Sequence, residues 1–598
     1  MKTASPTTHK KTKSQAFALI KPYFRENRTV IIVGLLCLVL ADAGQLYIPR
    51  IIKQTIDDLT TLSADHAVLF KYALAIFFAA TLIALFRYGW RRCLIGTSRR
   101  IEEGLRDRFF THIQTLSAGY FGRVSTGDLM AHATNDITNV RMATGMGLVA
   151  LMDAVFLGTA TIVFMVWING RLTLFALIPM PFIVLSARLF SRIMHSRYRS
   201  VQASFSELTE GVRECYAGIR IIKAYTREKE SYTRMEKLSR SFVDKNIELI
   251  RVTGSFFPLM LMMSNISLTL VIYLGGRGAI LGDISAGDLV AFISYLGLLT
   301  WPMMALGWMT NLVQRGRASL ERIGEVLDQV PQVEDKRGTP GRTRIELSGR
   351  EILCCDKVAF AYADDGPNVL QDVSFSLGQG ETLGIVGPPG SGKTTLLNLL
   401  PRLFDVCAGS VHLGEHDIRD IGLSDLRDSI SFAPQEPFLF EVSIRDNVLM
   451  GHTGASETEM IEAAKKACLY DDVMGFSNGF DTLVGEKGVI LSGGQKQRVA
   501  LARAFLHNRD IMIFDDPVSQ VDTRTGSRII ESLNACGGQK KVIISSHRLS
   551  AVRHAREILV LENGRIVERG DHDTLMALGG YYTRTYRLQD MEEDDHEV

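Results

Sequence analysis

Residues 387–394 carry the pattern of a loop that binds the phosphates of a nucleotide. They read Gly-Pro-Pro-Gly-Ser-Gly-Lys-Thr, after an apolar run that predicts a buried strand and before a leucine-rich run that predicts a helix. Lys393 would add positive charge at the β- and γ-phosphates, and the Thr394 hydroxyl could hold Mg²⁺. The pattern predicts ATP contacts from Gly387, Pro388, Pro389, Gly390, Ser391, Gly392, Lys393, Thr394 and Thr395.

Polar residues also follow two further apolar runs. The run 511–514 ends in Asp515 and Asp516, and the run 542–544 is followed by two serines and His547. Ligands bind at the carboxyl ends of strands in open α/β sheets. We therefore expect Asp515 to act with Mg²⁺ and His547 to lie beside the bound nucleotide.

Composition narrows the class of protein. A chain of 598 residues is too long for one core, so two or more domains are expected. The formal net charge of +2 does not favour nucleic acid as a partner. The eight cysteines form no C-x-x-C pair, which is typical of reduced thiols in a protein that faces the cytosol.

The first half of the chain predicts a helical membrane domain. Six apolar segments are long enough to cross a bilayer, near residues 29–52, 68–90, 141–168, 171–192, 254–278 and 288–312. Arginines follow the second and fourth segments, so those flanks and both termini are expected in the cytoplasm. The charged stretches 91–140 and 193–253 predict helices that continue into the cytosol, each interrupted by a glycine-containing turn, at 121–128 and 216–219.

Some residues in these segments are candidates for a substrate pathway. Asp42, Gln45 and Asp153 are polar residues within predicted spans, where such groups are costly. Met260 and Met304 lie in the methionine-rich fifth and sixth spans, and flexible thioethers suit varied apolar ligands. The alternative is structural: a hydrogen bond between helices for the aspartates and plain packing for the methionines.

Further motifs resemble one family closely. Residues 491–495 read Leu-Ser-Gly-Gly-Gln, and together with the phosphate loop they resemble ATP-binding-cassette (ABC) transporters of the exporter type, over nearly the whole chain. The resemblance implies six membrane helices fused to an α/β P-loop cassette. It further implies that Tyr362 stacks on adenine, that Gln435 touches Mg²⁺, and that Ser519 and Asp522 communicate across a cassette dimer. The catalytic groups that it implies are Asp516, in the position of the family's general base, and His547, in contact with the γ-phosphate.

The resemblance also implies a partner chain. In this family two cassettes enclose two ATP molecules, and each site combines the P-loop of one chain with the signature of the other. Leu491, Ser492, Gly493, Gly494 and Gln495 (the signature segment) would therefore act on a second half-transporter. The expected domains are an N-terminal segment 1–28, a membrane domain 29–320, a linker 321–345, a cassette 346–585 and an acidic, disordered tail 586–598.

One position departs from the family pattern. The family has a glutamate directly after the Mg²⁺ aspartate, and this chain has Asp516. One methylene less retracts the carboxylate by about 1.5 Å, enough to break contact with an attacking water. We therefore hypothesise a heterodimer in which this chain's own ATP site is weakened. The rivals are a homodimer in which Asp516 works through a shifted water and an engineered Glu-to-Asp change.

The favoured function is ATP-driven export of hydrophobic or amphipathic compounds, drugs or lipids, from a bacterial inner membrane. Two alternatives remain open at this point: an ATP-gated channel or regulator, for which slow hydrolysis at Asp516 would suffice, and an importer of metal–siderophore complexes built on the same fold. Nothing in the sequence specifies the direction of transport.

Overall fold

The computed structural model describes residues 17–61, 63, 65–335, 351–363, 366–485, 488 and 490–595. The chain divides into two compact units. One comprises Met1–Gln114 with Thr126–Gln329, and the other comprises Thr115–Ser125 with Val330–Val598. The first contains the long apolar helices and the second contains the sheets.

The first unit is helical throughout its described part. Five helical stretches there are long and apolar enough to cross a membrane: Arg28–Thr60, His66–Thr115, Thr126–Leu177, Glu228–Leu281 and Ala286–Met303. Four of the predicted spans lie entirely within these stretches, and the sixth, 288–312, begins in Ala286–Met303 and continues beyond it within the same helix. Within this unit the α-helices are Lys21–Glu26, Arg28–Thr60, His66–Trp90, Gly96–Thr115, Thr126–Ala131, Ile137–Met142, Leu148–Ile168, Gly170–Leu177, Met180–Ala217, Ile219–Ala224, Glu228–Leu281 and Ala286–Leu327, with π-helical turns at Arg91–Ile95, His132–Asp136 and Ala143–Gly147.

The fourth predicted span, 171–192, falls on two helices. Asn169 caps Gly170–Leu177 by accepting a hydrogen bond from the Leu172 N–H at 2.9 Å, and a second helix starts at Met180. Several side chains of this segment lie outside the described residues. The count of six spans therefore stays a prediction.

Both predicted glycine-containing turns are confirmed. After Gly96–Thr115 the chain forms the short helix Ala118–Phe121, which is part of the sheet-containing unit. Within that unit the Ser117 hydroxyl accepts a hydrogen bond from the Val333 N–H at 2.8 Å. The second turn ends Met180–Ala217 at Gly218 and leads through Ile219–Ala224 into Glu228–Leu281.

A buried carboxylate joins the extension of the third predicted span to the last helix of this unit. Asp136 is 5% exposed and accepts hydrogen bonds from the Ser319 hydroxyl at 2.8 Å, from the Arg322 guanidinium and from the His132 ring. The helix backbones also lie close here, because a Cβ on Gly316 would collide with the side chain of Ala143. These contacts fix Ala286–Leu327 against the extension of the third span.

The second unit is an α/β domain with two sheets. The strands are β1 Leu353–Phe360, β2 Leu370–Leu377, β3 Thr382–Val386, β4 Ala408–Leu413, β5 His416–Asp417, β6 Ile430–Ala433, β7 Ile511–Asp515, β8 Lys541–Ser545, β9 Glu557–Glu562 and β10 Arg565–Gly570. The helices are Lys393–Leu399, Leu423–Asp428, Ile444–Leu449, Glu457–Lys466, Tyr470–Met474, Gly493–His507, Thr523–Gly537, His572–Leu578 and Tyr581–Asp595.

The larger sheet brings together the segments that carry the motifs. Its order is β10-β9-β3-β8-β7-β6, and β3, β8, β7 and β6 run parallel. Helices and the smaller sheet cover both faces, which explains why these strands read as continuous apolar runs. Because parallel strands share one carboxyl edge, the residues that follow these four strands meet there.

Two domain boundaries differ from those expected. The helix Ala286–Leu327 runs without interruption past residue 320, so the expected linker begins inside a helix. The last helix, Tyr581–Asp595, crosses the expected end of the cassette at 585. Tyr582 and Thr583 bury the start of this helix in the cassette, and the helix continues into the expected tail.

Candidate functional site: a nucleotide cavity at the sheet edge

A cavity of about 330 Å³ opens at the carboxyl edge of β3, β8, β7 and β6. It unites most of the residues expected to bind ATP. The lining residues are Val369, Pro389, Gly390, Ser391, Gly392, Lys393, Thr394, Thr395, Gln435, Asp515, Asp516, Ser545 and His547.

The phosphate loop has the backbone that its glycines allow. Gly387 has φ of 150°, and a Cβ there would clash with the carbonyl oxygen of Leu561. Gly392 has φ of 104° and directly precedes the helix Lys393–Leu399. Both conformations favour glycine. The loop therefore lies at the N-terminus of a helix, where backbone N–H groups and the helix dipole attract anions.

Lys393 is 6% exposed and is held by its own loop. Its Nζ donates hydrogen bonds to the carbonyl oxygens of Gly387 at 2.9 Å and Pro388 at 3.0 Å. Burial lowers the pKa of Lys393, while the charges of Asp516 and Asp515 oppose that effect. Phosphates entering the cavity would add further negative charge and favour the ammonium form.

Asp515 ends β7 and is 2% exposed. Burial raises the pKa of this carboxyl, and the neighbouring charge of Asp516 adds to the effect. Its Oδ2 has no hydrogen-bond partner among the described residues, and neither has the buried hydroxyl of Ser391. Uncompensated oxygens of this kind fit a bound cation.

The other oxygens nearby suit the same cation. The Thr394 hydroxyl donates to Gln435 Oε1 at 3.3 Å, and both residues line the cavity with Asp515. Hydroxyl, amide and carboxylate oxygens are the ligand types that Mg²⁺ takes beside nucleotide phosphates. The residues present therefore fit Mg²⁺. When bound, the ion would neutralise charge on the phosphates.

Asp516 has an unusual backbone and a constrained side chain. Its φ is 49°, in the left-handed region, and its N–H donates to the Ser545 carbonyl at 2.8 Å. The residue is 4% exposed. Oδ1 accepts hydrogen bonds from the Ser546 hydroxyl and the His547 N–H, both at 3.3 Å. The carboxylate thus contacts the two residues that follow β8 as well as lining the cavity.

Tyr362 lies outside the residues that line the cavity but is joined to them. Its hydroxyl is 3.0 Å from Thr395 Oγ1. Its ring is 52% exposed and packs edge-on against Phe360 and Phe404. The exposed ring leaves a face for adenine, so the expected stacking stays a prediction that this geometry permits.

The signature segment forms the start of the helix Gly493–His507. Ser492 caps the helix by accepting from the Gln495 N–H at 3.2 Å. Position 494 requires glycine because the Gln520 backbone approaches it closely: a Cβ there would lie 2.6 Å from the Gln520 carbonyl oxygen. None of the five signature residues is among those that line the cavity.

Gln497 is a site residue that our sequence reasoning passed over. It is 2% exposed, and its Nε2 donates to the Asp516 carbonyl at 2.6 Å and to the Ser519 hydroxyl at 3.1 Å. Its Oε1 accepts from the Gln520 N–H at 3.0 Å. One amide thereby links the signature helix to Asp516 and to the loop that contains Ser519. Asp522 ends that loop and caps the next helix through the Thr525 N–H.

The membrane candidates are placed differently. Asp42 is 3% exposed, Asp153 is partly buried, and Gln45 is half-buried. Asp42 Oδ2 and Asp153 Oδ1 have no hydrogen-bond partner among the described residues, and Asp153 and Arg87 are near enough to interact with the Asp42 charge. Met260 is 3% exposed and packs in a cluster with Leu46 and Tyr295. The side chain of Met304 lies outside the described residues.

Comparison with known families and chains agrees with these motifs. Residues 31–303 match the family described as "ABC transporter transmembrane region", and residues 370–519 match the one described as "ABC transporter". The "Multidrug resistance-like ATP-binding protein MdlA" of Escherichia coli (strain K12) is 35% identical to this chain over 577 residues, 96% of this chain and 97% of that protein. The chain belongs to the ABC transporter family.

Other relatives share the whole architecture. The "Probable multidrug resistance ABC transporter ATP-binding/permease protein YheI" of Bacillus subtilis (strain 168) is 33% identical, over 94% of this chain and 95% of its own length. The "ATP-dependent lipid A-core flippase" of Syntrophus aciditrophicus (strain SB) is 31% identical, over 94% of this chain and 92% of its own length.

A solved structure matches the fold. The "bacterial Atm1-family ABC exporter with ATP bound" superimposes with a TM-score of 0.74 at 26% identity, over 94% of this chain and 98% of that one. This ABC protein is an integral membrane exporter with a helical membrane domain and an α/β cassette. Its cassette binds ATP and couples ATP hydrolysis to transport.

Proposed function

We propose that this ABC protein is one half of an exporter of hydrophobic or amphipathic compounds, drugs or lipids, and that its own ATP site is weakened. The observation that carries the proposal is the composition of the nucleotide cavity. It contains the phosphate loop, Asp515, Asp516 and His547, but no residue of the signature segment. The protein would use MgATP, with Thr394, Gln435 and Asp515 holding the ion.

Two features support a partner chain. A cavity without signature residues needs them from another chain, since ATP bound on the loop alone would stay open to water. The second cytosolic turn is also exposed: Tyr216 is 75%, Tyr225 74% and Ile221 66% accessible. Exposed aromatic and aliphatic residues rimmed by charged ones are typical of protein interfaces. The cassette of a second half-transporter fits this surface.

The geometry of Asp516 supports slow hydrolysis at this chain's own site. A general base must come within roughly 2.6–3.2 Å of the attacking water. The Asp516 carboxylate is one methylene shorter than the family's glutamate and contacts Ser546 and His547. A heterodimer would tolerate this loss, because the signature segment of this chain would complete a fast site on the partner.

The relatives and the membrane half support the proposed substrate class. The matched proteins bear names that refer to multidrug resistance and to a lipid A-core flippase. Asp42, Asp153 and Gln45 are the polar candidates along the pathway. Met260 is buried within this chain, so it would meet substrate only after the helices move. The termini would face the cytoplasm of a bacterium, with the transporter in its inner membrane.

The deciding experiment compares ATP turnover of the purified chain alone with that of the chain co-purified with the half-transporter encoded beside it. Activity only with the neighbour is the expected result. Vigorous, cooperative hydrolysis by the chain alone would contradict the heterodimer and show that Asp516 is a competent base. Net movement of a labelled amphiphile against its gradient in proteoliposomes distinguishes a pump from an ATP-gated channel, and its direction distinguishes export from import.

A further inference from the structure

The loop that carries His547 is held from outside the nucleotide cavity by the last helix of the chain. Gln589 Nε2 donates a hydrogen bond to the His547 carbonyl at 2.7 Å. Gln589 Oε1 accepts one from the Leu549 N–H at 2.9 Å. A single amide side chain therefore bridges the backbone on both sides of Arg548. Only a side chain with both a donor and an acceptor can make this pair of bonds.

The helix that presents Gln589 is firmly anchored in the cassette. Tyr582 is fully buried, and its hydroxyl is 2.9 Å from His572 Nδ1. Tyr586, one turn later, faces the His572 ring at 5.0 Å and lies under the Arg553 guanidinium at 5.9 Å. Positions 582, 586 and 589 follow the helical period, so all three residues share one face. The anchor thus sets where the Gln589 amide lies.

His547 is held on its other side by the nucleotide site itself. Its N–H donates to Asp516 Oδ1 at 3.3 Å, and its side chain is exposed and lines the cavity. The backbone of this one residue is therefore fixed between the carboxylate at the end of β7 and the amide of the last helix. A change at Gln589 would alter the position of the imidazole without touching the cavity.

We propose that Gln589 is a positioning residue for His547, and that the helix Tyr581–Asp595 sets the geometry of the γ-phosphate side of the site. This inference rests on the proposed ATP hydrolysis, in which His547 has the catalytic role that the family resemblance implies. Gln589→Ala removes both bonds. Gln589→Glu keeps an acceptor for Leu549 but sets a carboxylate against the His547 carbonyl. Arg587→Ala, at an exposed position of the same helix, is the matched control.

Amide hydrogen exchange tests the contact directly. In the full-length transporter, peptides covering residues 546–550 should exchange faster in Gln589→Ala than in the unmodified protein or in Arg587→Ala, because the Leu549 N–H loses its acceptor. Loss of one such hydrogen bond raises local opening about threefold to tenfold. Unchanged exchange in Gln589→Ala would overturn the inference. A melting temperature close to that of the unmodified protein shows that the variant is folded.

Turnover tests the consequence. In the assembled transporter that carries Asp516→Glu and whose partner site has been inactivated, Gln589→Ala and Gln589→Glu should lower kcat about threefold to tenfold with KM for MgATP nearly unchanged. In a His547→Ala background the same changes should have no further effect, since they act through that side chain. If the Gln589 changes cause their full loss of turnover even in the His547→Ala background, the positioning role is wrong. It is also wrong if His547→Ala lowers kcat while the Gln589 changes leave kcat unchanged. Neither result contradicts the role of His547 itself. Unchanged turnover in His547→Ala refutes the role of His547 in the proposed function, and with it this inference.

Discussion

Asp516 is the residue that would make the two ATP sites of the proposed heterodimer differ in their rate of hydrolysis. Its carboxylate lies in the nucleotide cavity, yet one oxygen already accepts bonds from Ser546 and His547. General-base assistance contributes a factor of about 10²–10⁴ in rate, equivalent to roughly 3–5 kcal/mol in the barrier. A shift of one methylene length is therefore enough to separate a fast site from a slow one.

The first prediction concerns this residue. Asp516→Glu should raise hydrolysis at this chain's own site by about tenfold or more, because the longer side chain reaches the attacking water. The measurement is ATP turnover of the transporter whose partner site has been inactivated. Asp516→Asn, which keeps the length but removes the base, is the control and should not gain activity. If Asp516→Glu does not exceed the unmodified chain, the weakened-site hypothesis is wrong.

The second prediction concerns Gln497. Gln497→Ala should lower kcat about tenfold, since the Asp516 carbonyl, the Ser519 hydroxyl and the Gln520 N–H lose a buried partner worth ~1–3 kcal/mol. Affinity for ATP, measured by equilibrium binding, should change little, because Gln497 does not line the cavity. Lys496→Ala, one residue earlier, is the comparison variant. Equal losses in both variants would contradict a specific role for the Gln497 amide.

The strands of the larger sheet bring together residues that lie far apart in the sequence. Gln435, Asp515 and His547 follow β6, β7 and β8, and the phosphate loop follows β3. The parallel pairing of those strands brings all four segments to one edge. Elsewhere, helices that are distant in sequence are joined by single polar contacts such as that of Asp136 with Ser319 and Arg322.

The third prediction tests that contact. Asp136→Asn should lower the apparent melting temperature of the detergent-solubilised protein. The change removes the anionic partner of Arg322. Hydrogen bonds to charged groups contribute about 1.5–3 kcal/mol. Because the Arg322 side chain is 46% exposed, we expect the lower figure. Asp107→Asn, the same change at an exposed position, should have no effect. Equal stability of the two variants would show that the buried network contributes nothing.

The whole molecule is best understood as half of an assembly. Its nucleotide cavity lacks signature residues, and the tyrosines of its second glycine-containing turn, Tyr216 and Tyr225, are exposed. An ATP site without signature residues has no use in an isolated chain, and exposed aromatic side chains are costly there. Both features are useful in a dimer. Asp42 is buried and Asp153 partly buried, and each has one oxygen without a hydrogen-bond partner among the described residues. Carboxylates within membrane spans are tolerated mainly where they have a function.

The fourth prediction separates the two nucleotide sites of the assembly. In the proposed heterodimer, Ser492→Arg should abolish most ATP turnover, because the signature segment completes the fast site on the partner. Lys393→Ala should cost less turnover, because it acts at this chain's slow site. ATP binding to this chain, measured by photolabelling, should survive Ser492→Arg and be lost in Lys393→Ala. The reverse order of turnover losses would contradict the assignment of fast and slow sites.

The fifth prediction concerns Asp42. If its carboxylate serves transport, Asp42→Asn should lower pumping of a cationic amphiphile about tenfold, the size of one lost charge-assisted contact, ~1.5 kcal/mol. The melting temperature should not fall, since the change removes a buried carboxylate that has an oxygen without a hydrogen-bond partner among the described residues. Asp283→Asn, at an exposed position, is the control. A lower melting temperature with unchanged transport would instead show that Asp42 has a structural role.

The sequence alone determined the parts that depend on residues close together in the chain. The phosphate loop, the signature segment and the apolar spans are each contiguous, so their chemistry and hydropathy are legible without coordinates. The departure from the family pattern at Asp516 could also be recognised in the sequence, because it lies within a contiguous motif.

Only the tertiary structure decided which distant residues share a site. Gln497 and Gln589 are ordinary glutamines on helices, and nothing local distinguishes them from solvated ones. They matter because backbone groups 19 and 42 residues away complete their hydrogen bonds. Likewise, neither the residue type nor the position of Met260 in the sequence distinguishes it from a methionine that faces substrate. Its burial depends on which helices pack against it, and packing is a property of the folded chain.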